Sequence, residues 1–180
     1  VQIIAEILDE LSAGGMQVII SQIESAKGFV NISEIASTRP DRHAALMLGP
    51  EDLALDLRAT SSNEVMSFYA QTLVTAARSG GLHAIGSPGS IAEIADMTKY
   101  RNELEAGRRM GFDVVVAIHP KQLSIIDDIF RFSVDEIEQA HAVVQGDQKN
   151  HGRPFRLDGK MIDAPIVARA RALLKKAGST

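Results

Sequence analysis

Five places in this 180-residue sequence carry side chains or backbone with usable chemistry: Glu24, the run Gly49-Pro50-Glu51-Asp52, the loop Gly86-Ser87-Pro88-Gly89-Ser90, His119 and Asp163. Cys is absent, so thiolate metal sites and cysteine nucleophiles are excluded, and any metal must be held by oxygen or imidazole. Two convergent carboxylates, Glu24 and Asp52, suit a hard cation such as Mg²⁺, which keeps waters and substrate oxygens as its other ligands. The competing reading is that acids commonly end strands or cap helices. Gly49-Pro50-Glu51-Asp52 would leave the backbone N–H groups of Glu51 and Asp52 unpaired, a place for a substrate carboxylate, or would be a plain turn with Asp52 as N-cap. The Gly86–Ser90 loop either cradles an anion or is a tight turn capped by Ser90. His119 is a base, a ligand, a positioned donor or a structural residue satisfied by backbone. Asp163, two residues before Pro165, is explained by helix capping alone.

These residues fall at the ends of predicted strands or at the start of the last helix. Ile3, Ile4, Ile7, Leu8 and Leu11 make a helical stripe over residues 1–13, with Gly14-Gly15 as its stop. Met16–Ile23 is apolar on both alternations and reads as a strand buried on both faces. A helix at Val30–Ser37, a strand at Ala44–Leu48, a helix at Asn63–Arg78, a strand at Leu82–Ile85 and a helix at Ile91–Met110 follow, the last opened by a Ser90/Glu93 capping box. The most β-like segment is Asp113–Ile118, the fourth predicted strand. Helices at Lys121–Phe130 and Val134–Gln145 come next, the second with a Ser133/Glu136 capping box. Residues 146–159 read as a polar loop or arm before a closing helix at Ala164–Lys176. Strands alternating with helices predict parallel pairing and an α/β class. Four such units suit a small open sheet or half of a closed barrel. A complete barrel takes about 250 residues, so length alone favours the open sheet.

Composition bounds the partners. Net charge is -4 and the 19 Lys+Arg form no long basic run, which argues against a nucleic-acid or anionic-membrane surface. No apolar run approaches the roughly 18 residues of a membrane span, and no basic-then-apolar signal peptide is present, so the expected location is cytoplasmic. The chain starts at Val1 within a predicted helix, which suggests a longer protein.

Five ordered segments, IESAKGFVNISEIA (23–36), LGPEDLALDL (48–57), AARSGGLHAIGSPGS (76–90), AGRRMGFDVVVAIHPKQL (106–123) and LDGKMIDAP (157–165), resemble the HpcH/HpaI aldolase and citrate lyase beta-subunit family. The resemblance is to its CoA-dependent branch of malyl-CoA and citramalyl-CoA lyases. It implies a (β/α)8 TIM barrel of the phosphoenolpyruvate-binding type, of which residues 1–145 would be the last four strands. Residues 146–180 would be a C-terminal helical extension packing on a neighbouring subunit of a homo-oligomer. By the same resemblance Glu24 and Asp52 match the metal ligands, for Mg²⁺ with Mn²⁺ as the alternative. Gly49, Pro50, Glu51 and Asp52 match the turn that binds the α-oxo acid's carboxylate. Asp163 matches the acid/base delivered to an adjacent subunit's site. His119, Pro120 and Gln122 match the family's HPxQ signature, with no role assigned.

The implied reaction is cleavage or formation of a β-hydroxyacyl-CoA thioester, giving an acyl-CoA and an α-oxo acid. The family's barrel has four earlier strands carrying a substrate-clamping Arg, and nothing in this sequence corresponds to it, since Arg39 and Arg42 both lie in the STRPDR loop. IGSP also stands where many relatives have IDG, and FDVV where FGGK is frequent. The chain is therefore expected to be incomplete for activity. Two alternatives remain: a CoA-independent class II pyruvate aldolase, against which KMIDAP argues, and a non-catalytic fragment or assembly subunit.

Overall fold

The computed structural model describes residues 1–11 and 17–178. The predicted Gly14-Gly15 stop lies outside them. Contacts divide the chain into two compact units, Val1–Phe130 and Arg131–Thr180.

The first unit opens with α1 (Gln2–Leu11) and β1 (Ile19–Ile23), followed by α2 (Ala26–Val30) and α3 (Ile32–Ser37). Then come β2 (His43–Leu48), α4 (Pro50–Asp56), α5 (Asn63–Ser79) and β3 (His83–Ile85), and the unit closes with α6 (Met97–Met110) and α7 (Pro120–Phe130). The strands form a parallel sheet in the order β1-β2-β3, with Gln22 beside Met47 and Met47 beside Ile85. One face carries Ile23, Leu46, Leu48 and Ala84, which pack with Ile32 and Ala36 of α3 and with Ala70, Leu73 and Ala77 of α5. Removing such side chains from water, at about 25 cal/mol per Å², is the main force fastening the helices to the sheet. The other face is open: Ile20 is 52% exposed and Val116 38%. The expectation that β1 is buried on both faces is thus met on one face only.

Three local expectations are corrected. Asp113–Ile118 does not form a fourth ladder strand; Val114 makes a single parallel bridge to Ile85. The cause lies in its neighbour: beyond Ile85 the chain turns, Ser87 Oγ donates to the Gly89 carbonyl, and Pro88 has no N–H to give. The segment is anchored at its start instead, where Asp113 pairs with Arg78 at 2.7 Å and accepts the Ala84 N–H. The helix predicted at Ile91–Met110 begins only at Met97. Ser90 Oγ accepts the Ala92 N–H and Glu93 Oε1 accepts those of Ala95 and Asp96, so these side chains hold local turns that compete with helix. Asp96 is the N-cap, accepting the N–H groups of Thr98 and Lys99. The helix predicted at Val30–Ser37 is α3, which begins at Ile32, and it is preceded across Asn31 by a short helix not predicted, α2.

The second unit holds α8 (Val134–Lys149), the hairpin β4 (Phe155–Leu157) and β5 (Lys160–Ile162), and α9 (Ala164–Ala177). The Ser133/Glu136 capping box forms as expected. Residues 146–159 are not simply a loop: α8 continues to Lys149, and Asp158-Gly159 makes the two-residue turn of an antiparallel hairpin. Both turn residues have positive φ, 47° and 77°, the type I′ geometry for which Asp-Gly is suited. Ala140 and Val143 of α8 form one core with Ile162 of β5 and Val167 and Ala170 of α9.

Candidate active site

In a parallel α/β sheet, ligands gather beyond the carboxyl ends of the strands. β1 ends into Glu24, whose exposed carboxylate follows Gln22 on the open face of the sheet. Gln22 Nε2 donates to Glu24 Oε2 at 2.7 Å. Directly after Glu24 the chain turns into α2, where the N-cap Ser25 accepts the Gly28 N–H at 3.1 Å. Asp56, at the end of α4, accepts the Ala26 N–H at 2.7 Å and so ties the β1 turn to the β2 turn.

β2 ends into Gly49, whose N–H donates to the Ile23 carbonyl at 3.0 Å. This is a close crossing of two strand ends: a β-carbon at Gly49 would lie 2.8 Å from Glu24 Cβ, 2.9 Å from Gln22 Nε2 and 3.2 Å from Glu24 Oε2. A residue with no side chain is therefore required for Glu24 to sit beside the turn. Pro50 is the first residue of α4, suited to a position where an N–H is not needed. The first helical bond runs from the Leu53 N–H to the Gly49 carbonyl, so the N–H groups of Glu51 and Asp52 lie outside the ladder. Both carboxylates are exposed. The alternative reading of Asp52 as N-cap is excluded, since Gly49 takes that place.

A cavity of about 270 Å³ opens here, lined by Gln22, Met47, Gly49–Asp52, Gly86, Ile91 and Val116. Its floor is apolar and its polar groups come from the ends of β1 and β2. Asp52 lines this cavity, whereas Glu24 stands beside Gly49 without lining it; both carboxylates are oxygen donors of the type a hard cation takes, and among the described residues no group of three or more potential metal ligands gathers. Two carboxylates fit Mg²⁺ and no soft metal.

The other expected site residues stand as follows. Gly86 reaches the cavity, whereas Ser87 turns back on its own loop. His119 Nδ1 accepts the Lys121 N–H at 3.1 Å, so it helps shape the turn into α7. Asp163 belongs to the second unit, is exposed, and caps α9 by accepting the Ile166 N–H at 3.4 Å.

Two residues go beyond the sequence reading. Gln122 is fully buried; its Oε1 accepts the N–H groups of Ile118 and His119 at 2.8 and 3.1 Å, and its Nε2 donates to the Ile91 carbonyl at 2.8 Å. It joins the end of the 113–118 segment to a wall of the cavity, and the HPxQ signature was its sequence signal. Glu103, 7% exposed, packs its carboxyl against Gly89, and its Oε2 has no hydrogen-bond partner. Burial raises its pKa, Lys99 opposes, and Glu93 and Glu51 add to the rise. Its only sequence signal was an acid on an otherwise buried helical stripe.

A parallel α/β unit with acidic residues just beyond the carboxyl ends of two adjoining strands has the arrangement in which enzymes of the β/α type bind their ligands. Residues 1–120 match the model of the HpcH/HpaI aldolase/citrate lyase family, and the chain belongs to that family. It is 30% identical over 166 residues to a citrate lyase subunit beta-like protein of Mycobacterium tuberculosis, covering 89% of this chain and 59% of that one. It is 32% identical over 162 residues to a (3S)-malyl-CoA thioesterase of Cereibacter sphaeroides, covering 87% and 55%. The crystal structure of CitE from Mycobacterium tuberculosis, in complex with magnesium, acetoacetate and coenzyme A, superposes with a TM-score of 0.77 at 29% identity, covering 89% of this chain and 61% of that one. A citrate lyase from Burkholderia xenovorans shares the fold, with a TM-score of 0.84 at 17% identity, covering 99% and 58%. The chain thus spans less than two thirds of the length of these relatives. No described helix is long and apolar enough to cross a membrane.

Proposed function

We propose that this chain is the C-terminal half of a (β/α)8 barrel enzyme, a Mg²⁺-dependent carbon–carbon lyase that cleaves or forms β-hydroxyacyl-CoA thioesters. The observation that carries the reading is the seating of Glu24 against the Gly49 turn that bears Glu51 and Asp52. The kinship with a malyl-CoA thioesterase and with a structure holding magnesium and coenzyme A supports the substrate class. The open face of the sheet, where Ile20 is more than half exposed, supports a barrel whose other strands lie outside this chain.

In this reading Glu24 and Asp52 hold the cation, which when bound supplies Lewis-acid polarisation of the substrate's hydroxyl and carbonyl oxygens. The N–H groups of Glu51 and Asp52 bind the carboxylate of the α-oxo acid and orient it. In the cleavage direction the β-hydroxyl gives its proton to solvent water and the bond between the α- and β-carbons breaks. Its electrons pass to the thioester enolate, and the oxo group forms on the former β-carbon. Asp163, supplied by the second unit of a neighbouring copy in a homo-oligomer, then gives its proton to the enolate α-carbon. In the condensing direction it removes that proton. Residues 146–180 are the arm that would carry it.

The test is isothermal titration of the full-length protein with MgCl₂, alongside turnover of a β-hydroxyacyl-CoA. Glu24→Gln and Asp52→Asn are each expected to lose metal binding and turnover, while Asp163→Asn keeps metal binding and loses turnover. Retention of both properties in the first two variants overturns the metal assignment. Full turnover in Asp163→Asn overturns the acid/base role of Asp163, and release of pyruvate from a 4-hydroxy-2-oxo acid with no turnover of the CoA thioester favours the CoA-independent pyruvate aldolase instead.

A further inference from the structure

The row of side chains that crosses the open sheet face one step below the site is Gln22, Met47 and Ile85. An aliphatic side chain would match its neighbours at position 22, yet an amide stands there and lines the cavity. Its Nε2 lies 2.7 Å from Glu24 Oε2, and the absence of a side chain at Gly49 leaves room for both groups, since a β-carbon there would meet each of them. A carboxylate at the exposed end of a strand can rotate freely; one held by a neighbouring donor presents a fixed oxygen.

We propose that Gln22 is a positioning residue for the metal-binding carboxylate: its amide N–H holds Glu24 Oε2 and turns Oε1 toward the cation. The inference rests on the assignment of Glu24 as a ligand. Partners of this kind, which hydrogen-bond a ligating side chain without touching the metal, are worth about 10–100-fold in metal affinity.

The experiment uses the full-length protein with Mn²⁺ as probe, read by calorimetric titration and by the electron paramagnetic resonance spectrum of the bound ion. Gln22→Met preserves side-chain length on an exposed position and is expected to fold as the parent does, with unchanged circular dichroism. It should weaken Mn²⁺ affinity about tenfold and alter the zero-field splitting of the bound ion, a change that loss of packing alone does not produce. Glu24→Gln and Asp52→Asn serve as references. If they abolish Mn²⁺ binding while Gln22→Met matches the parent in affinity and spectrum, Gln22 does not position Glu24, and the metal site stands without it. If they leave binding intact, the metal assignment fails and takes this inference with it.

Discussion

Gln122 offers the sharpest energetic test of how the cavity's wall is built. Its side chain satisfies three backbone groups within 3.1 Å, the N–H groups of Ile118 and His119 and the carbonyl of Ile91, from a fully buried position, and its Nε2 also donates to the Glu93 carbonyl at 3.4 Å. Gln122→Ala leaves all three without that partner. Each unsatisfied buried group costs about 1–3 kcal/mol, so at the low end of that range the loss is about 3 kcal/mol. For a chain of this size that corresponds to a fall in Tm of about 6–12 °C. Gln122→Glu, protonated at low pH, keeps an acceptor for Ile118 and His119 and has one O–H to donate toward Ile91, and should fall between the parent and the alanine variant there. Urea unfolding followed by circular dichroism measures both. A loss under about 1 kcal/mol in Gln122→Ala would refute the reasoning, because it would mean that water replaces the amide at no cost and that Gln122 does not hold the turn.

Two further predictions concern buried ionisable groups. His43, 3% exposed at the start of β2 and with neither ring nitrogen hydrogen-bonded, has its pKa lowered by burial. The unfolded chain binds the proton more readily than the native one, so stability is full above about pH 6.5 and falls as pH drops through the native value. His43→Gln should lessen that loss, which urea titrations at pH 5 and pH 7.5 would register; an identical pH dependence in the variant refutes it. Glu103 is the reverse case: its raised pKa means that the native state holds the proton more tightly, so stability falls as pH rises above about 4.5. Glu103→Gln should therefore raise Tm at pH 8 and change it little at pH 4, and a lower Tm at pH 8 would show that the carboxylate has a partner in solution.

How much of this was legible in the sequence follows from what each signal depends on. The parallel strands β1 and β2 and the helix α5 were visible because their apolar residues repeat at the period of the element and bury against one another. The strand ends were equally visible, and with them Glu24 and the Gly49–Asp52 turn. Asp113–Ile118 failed because a strand needs a ladder partner as well as β-prone residues, and Pro88 and the Ser87 turn remove that partner. The late start of α6 failed because Ser90 and Glu93 use the same atoms for a local turn as for a capping box. The hairpin at Asp158-Gly159 had a readable turn signal but strands of three residues, too short to show alternation. Gln22 was invisible because its meaning lies in a hydrogen bond across one residue of an exposed strand end.

The distribution of polarity over the open face ties these details to function. Along β1 the outward sequence on that face is Ile20, Gln22, Glu24: apolar, then amide, then charge, running toward the carboxyl end. On β2 Ala45 and Met47 precede Gly49, whose missing side chain admits the β1 carboxylate, and the turn then presents backbone N–H groups and Asp52. Charge at the lower rows would be costly once such a face is covered, since an unpaired buried ion is destabilising by several kcal/mol. Charge at the top row is tolerated because the strand ends open onto the cavity and a cation can neutralise it. The gradient explains why an amide occupies the middle step. It is polar enough to hold a carboxylate oxygen, yet under the proposed assignment it brings no charge of its own to compete with Glu24 for a cation.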